Sequence, residues 1–169
     1  MTTPAVEAVL QTGATETRYH RAGAGAPLLL LFTGAMTDPL GQALFDRLAR
    51  RFRVIAPVIP AGVGAGAPVP IATWLRDLID GLGVVRPSVV ADESLAGALL
   101  GFSLIDPGRI DRVVAVCRDH ADPASSVGML HAAHGLLVVS VDAASEAASC
   151  ADEAVAEMVP FLDAGEHRA

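Results

Sequence analysis

Apolar residues along this chain fall in short continuous runs, separated by segments whose apolar positions recur at helical spacing. That alternation predicts a layered α/β domain. Two partly alternating runs, Val6 to Leu10 and Thr15 to Arg21, flank Gly13 and predict an antiparallel hairpin. Leu28 to Phe32, Phe52 to Pro57, Ser88 to Ala91, Arg112 to Cys117 and Leu136 to Val141 are strand-length and mostly apolar. Runs of that kind suit parallel strands covered on both faces. Asp38 is placed to cap a helix through Arg50, with Leu40, Leu44, Phe45 and Leu48 on one face. Ile71 to Gly83 puts Trp74, Leu75, Leu78, Ile79 and Leu82 on one face and ends at glycine. A helix from about Leu95 to Ile105 is broken by Asp106-Pro107-Gly108. The last helix is expected over Asp152 to Leu162, with Val155, Met158, Val159 and Leu162 inward and Pro160 as a kink or early stop.

At 169 residues the chain is expected to be one domain, with residues 1–22 as its N-terminal hairpin and 164–169 as a flexible tail. Apolar residues make up 52% and charged residues only 18%, which leaves apolar surface for a ligand or partner. A net charge of −7 without a basic cluster excludes nucleic acid as a partner. The N-terminus has no basic segment followed by an apolar run, and the longest greasy stretch, Pro27 to Phe32, is far too short for a span. No membrane association is expected, and the location expected is cytoplasmic. Cys117 and Cys150 lie 33 residues apart, which is not a metal-ligand spacing, and read as buried thiols in a reducing compartment. Gly62-x-Gly64-x-Gly66 is followed by Pro68 and Pro70 rather than by a helix, so it is not a dinucleotide fingerprint. No metal and no cofactor are expected.

Several runs, taken in order, resemble the α/β-hydrolase superfamily of lipases, esterases and thioesterases. Pro27 to Asp38 resembles its third strand and oxyanion loop, and Arg51 to Pro60 its fourth strand with a Pro/Gly exit. Arg86 to Gly97 resembles the strand into the nucleophile elbow, and Asp106 to Val116 the sixth strand. His134 to Val141 and Ala151 to Ala164 resemble the eighth strand and the closing helix. The resemblance implies a minimal α/β-hydrolase-like fold, a mostly parallel sheet with helices on both faces. The departures are equally specific. Fewer than 20 residues lie between Cys117 and Leu136, where the family places a cap and a seventh strand. Both are expected to be missing.

The elbow pattern Gly-x-Ser-x-Gly becomes Asp92-Glu93-Ser94-Leu95-Ala96. Ala96 is small as the strained turn requires, whereas Asp92 is not and would loosen it. Ser94 is the candidate nucleophile; its alternative role is to cap the helix that follows. The resemblance implies an oxyanion hole from the backbone amides of Leu95 and Ala35, and puts Thr33-Gly34 where the family has His-Gly. Aligned back from Phe161-Leu162-Asp163-Ala164, the catalytic histidine falls on Ser145. Losing such a base costs a serine hydrolase about a millionfold in turnover.

Three replacements for the base are open: His120, in Arg118-Asp119-His120-Ala121-Asp122, and the carboxylates of Asp92 and Glu93. His120 has an ordinary alternative as a solvated loop residue. His20 and His167 are expected at the surface, and His131 and His134 at the opposite end of the sheet. Without a cap, an apolar rim of Phe32, Met36 and Val58 is expected above Ser94. A hydrophobic small molecule, or a second subunit in a homodimer, would cover it. Two functions follow. One is an enzyme without a full triad, acting on an apolar ester, thioester, lactone or a cyclising or eliminating intermediate. The other is an inactive relative that binds a hydrophobic ligand or a protein.

Overall fold

A computed structural model describes residues 5–34, 36–64, 66–118, 135–142 and 145–164. Among these residues seven strands form one sheet: β1 (Val6–Thr12), β2 (Thr15–Ala22), β3 (Pro27–Leu31), β4 (Arg53–Pro57), β5 (Ser88–Asp92), β6 (Arg112–Arg118) and β7 (Gly135–Val141). Among the described residues four helices accompany them: α1 (Pro39–Leu48), α2 (Ile71–Leu82), α3 (Ala96–Ile105) and α4 (Ala147–Asp163). The spatial order is β1-β2-β4-β3-β5-β6-β7. The hairpin β1–β2 joins β4 antiparallel, and β4, β3, β5, β6 and β7 run parallel.

The period of two along each buried strand divides the core into two layers. Leu28, Leu30 and Phe32 of the β3 region, with Val90 and Val114, pack against α1 and α4. Leu29 and Leu31, with Val89 and Val113, pack against α2 and α3. Leu28, Leu29 and Leu30 are wholly buried, which is why the run carries no polar position. α1 begins as expected: Asp38 accepts from the Gly41 N–H at 2.8 Å, and Pro39 opens the first turn. α2 ends at Gly83, whose φ of +64 is the left-handed conformation a C-cap needs. Inside the second layer the Trp74 indole donates to the buried Thr17 hydroxyl at 2.9 Å, so burial leaves neither unsatisfied.

Two expectations are corrected here. α4 starts at Ala147, five residues before Asp152, because Cys150 and Ala151 continue its buried face. It also runs through Pro160 to Asp163 rather than stopping there. Arg47 of α1 bonds Asp152 of α4 at 2.5 Å, which holds that carboxyl below its usual range and ties the two helices together. Among the described residues β7 pairs directly with β6, with no strand between them.

Candidate active site

β3 and β5 are neighbours, in register from Leu28↔Ser88 to Leu31↔Ala91. The residues that leave their carboxyl ends therefore emerge side by side, at the end where open α/β sheets hold ligands. Continuing the alternation of β3, Thr33 follows Leu29 and Leu31 toward the α2–α3 layer. The chain then turns sharply: Gly34 has φ +75, and its carbonyl accepts from both the Thr37 and Asp38 N–H groups. From β5 the chain passes through one 3₁₀ turn, Glu93–Leu95, into α3.

Three side chains meet there. The Ser94 hydroxyl donates to Asp92 Oδ1 at 2.5 Å, a length typical of a charge-assisted O–H···O⁻ bond. The Thr33 N–H donates to Asp92 Oδ2 at 2.7 Å, fixing the carboxylate from its other side. Thr33 Oγ1 lies 3.1 Å from Ser94 Oγ. A serine hydroxyl has one proton, and here Asp92 takes it, so the Thr33 hydroxyl is the donor in that contact. Asp92 is half-buried while Thr33 and Ser94 are exposed.

This geometry departs from the capping reading of Ser94. It does not cap α3: Leu95 is the N-cap residue, and no side chain bonds the helix amides there. Arg86 is the one described non-glycine residue with positive φ, so Ser94 carries no positive-φ strain. The Asp92 side chain, in the place of the elbow glycine, folds back onto Ser94 instead of crowding the turn.

Ser94, Thr33 and Leu95 line a cleft of about 820 Å³. Ile59, Pro60 and Val63 of the loop after β4 form one wall, Ile71 opens α2 on another, and Ala98 and Gly101 of α3 form the floor. No ionisable side chain is among the described residues that line it.

The remaining candidates are spread out. Glu93 is exposed and does not line the cleft; together with burial, which acts more strongly, its charge raises the Cys117 thiol above its usual range. Met36 is corrected: the turn at Gly34 carries it back onto the α1–α4 core, where it packs half-buried. Phe32 is buried in the same layer, so the apolar lining comes from the β4–α2 loop instead of from Phe32 and Met36. Ala35 and His120 lie outside the described residues, as do His131, His134 and His167. His20 sits on β2, half-buried opposite Ala56. Ser145, where the histidine was expected, donates to Asp142 Oδ2 at 3.2 Å and lines a separate 190 Å³ cavity with Asp38, Arg118 and Cys150. Sequence reasoning missed the cleft floor at Ala98 and Gly101 and the Thr33–Ser94 contact. The strand alternation that turns Thr33 toward α2 and α3 could have found the latter.

Comparison with solved structures supplies the deciding observation. Over 95% of this chain and 98% of the other, the fold matches a predicted CIB-like hydrolase from Thermoplasma acidophilum, at a TM-score of 0.69 and 15% identity. The chain has the α/β-hydrolase fold. Epoxide hydrolase A from Mycobacterium thermoresistibile is similar over 67% of this chain, at a TM-score of 0.54 and 19% identity. An epoxide hydrolase from Vigna radiata is similar over 66%, at 0.54 and 21%. This chain covers only 39% and 38% of those two proteins. The Thermoplasma protein is thus a counterpart of nearly equal extent, and the epoxide hydrolases carry a good deal more around the same fold. No family model matches the chain, and neither does any curated protein sequence. No described helix is long and apolar enough to cross a membrane, and no described group of three or more His, Cys, Asp or Glu could hold a metal ion.

Proposed function

We propose that this chain is a hydrolase-type enzyme for an uncharged, apolar ester, thioester or lactone, working with Ser94 and Asp92 as a directly coupled hydroxyl–carboxylate pair. The observation that carries this reading is the 2.5 Å bond from the Ser94 hydroxyl to Asp92 at the mouth of an uncharged cleft. Asp92 stands where a base must stand to take the proton of a serine nucleophile. In the acylation step Ser94 Oγ bonds to the carbonyl carbon as its proton passes to Asp92. The leaving alcohol or thiol then departs with that proton. Water attacks the acyl-serine, Asp92 accepts its proton and returns it to Ser94 Oγ, and the carboxylic acid is released. Leu95 is the N-cap of α3, and its backbone amide is the described candidate for stabilising the oxyanion. A substrate that cyclises or eliminates would need only positioning and the carboxylate.

The lack of positive-φ strain at Ser94 favours a second reading, in which the cleft binds an apolar ligand without reacting. Hydrolysis of p-nitrophenyl butyrate by wild type and Ser94→Ala separates the two. The enzyme reading expects the variant to lose about a hundredfold or more. Equal rates would leave the binding reading.

A further inference from the structure

Gly101 is a poor choice for its own helix. It lies inside α3, where glycine is among the least favourable residues. A Cβ added to it would meet nothing within 4 Å, and its φ is not positive. Neither close packing nor backbone conformation asks for glycine there. Gly97 is equally unhindered, but it belongs to the first turn and does not line the cleft. Gly101 does line it, with Ala98 one turn earlier and Leu95 another turn back, beside Ser94. Ile105 continues the same helix face past Gly101 and is 62% exposed, an apolar side chain left in water along the same line.

We propose that Gly101 and Ala98 keep open a channel along α3 for a slender, uncharged alkyl chain whose functional group lies at Ser94. This inference rests on the reading of the cleft as the substrate site and names what that substrate carries. A charged tail would lose its hydration among residues that offer no ionic partner. From Leu95 to Gly101 the helix rises about 9 Å, room for an extended chain of about seven or eight carbons. Ala98 and Gly101 therefore set how long a chain can be fully buried.

The test is calorimetric titration of Ser94→Ala protein with straight-chain 1-alkanols from butanol to dodecanol. Affinity should rise about three- to fourfold per methylene, the factor equivalent to about 0.8 kcal/mol, and level off near octanol. Adding Gly101→Leu should move that plateau to shorter alcohols while leaving butanol within about twofold, and Ala98→Leu should move it further. Gly101→Ala should melt at a higher temperature, because the helix gains propensity without a clash. A length profile unchanged by Gly101→Leu overturns the channel, and so does binding independent of chain length. Alkanols bind without turnover, so the two readings fail separately. Length-dependent binding without ester hydrolysis defeats only the hydrolase reading, whereas hydrolysis with an unchanged length profile defeats only the channel.

Discussion

The rim over β3 and β5 and the rim over β6 and β7 are both built from the carboxyl ends of parallel strands, and they use polar groups in opposite ways. At the first, the Thr33 hydroxyl and the Asp92 carboxylate, itself held by the Thr33 amide, converge on one exposed hydroxyl that faces a large cleft. At the second, Arg118 pairs with Asp38, Asp38 caps α1, Ser145 bonds Asp142, and the Cys150 thiol donates to the Asp142 carbonyl. Those groups close turns and tie helix ends, around a cavity of 190 Å³. The resemblance read from the sequence puts the expected histidine at the second rim, on Ser145. Among the described residues its groups hold structure, and in the proposed reading the chemistry is assembled at the first rim.

That contrast is sharpest at Asp92. Asp92→Asn removes the base while keeping a side chain of the same shape, and should lower turnover by about 10² to 10⁴ with melting little changed. Ester kinetics beside a thermal melt would show it. The next effect is at Thr33. Thr33→Val keeps the backbone bond to Asp92 but loses the hydroxyl bond to Ser94, which should cost about fivefold in kcat, the equivalent of roughly 1 kcal/mol. Thr33→Ser should restore most of it.

At the other rim the effects should fall on stability instead. Asp38→Ala removes the α1 cap and the Arg118 partner, so a loss of about 1 kcal/mol is expected in a denaturant titration, with kcat unchanged. Least of all, Ser145→His should leave kcat within about twofold, because Ser145 and Ser94 line different cavities. A large gain in that variant would erase the distinction between the rims.

Much of the framework was legible because burial on both faces leaves a strand no polar position: β3, β5 and β6 announce themselves as unbroken apolar runs. The α1 cap was legible too, since Asp38 before Pro39 satisfies the local hydrogen-bonding demand by itself. The first turn and a half of α4 was not. Ala147, Ala148, Ser149, Cys150 and Ala151 are too small to give a hydrophobic stripe, although Cys150 and Ala151 are buried. At the site, the absence of a histidine near Ser145 could be read directly. The position of Met36 could not, because it depends on a reversal of direction at Gly34 that the residue types alone do not fix. The cleft was hidden for a similar reason: its wall is the loop around Val63, whose placement against α3 is a matter of tertiary packing.

The central claim is that Asp92, with no histidine, activates Ser94. Labelling by a fluorophosphonate probe, followed by intact mass, tests it most directly on wild type, Ser94→Ala and Asp92→Asn. The account predicts one adduct on wild type, none on Ser94→Ala, and labelling at least about a hundredfold slower on Asp92→Asn. Wild-type and Asp92→Asn protein labelling at the same rate, or neither labelling at all, would contradict it.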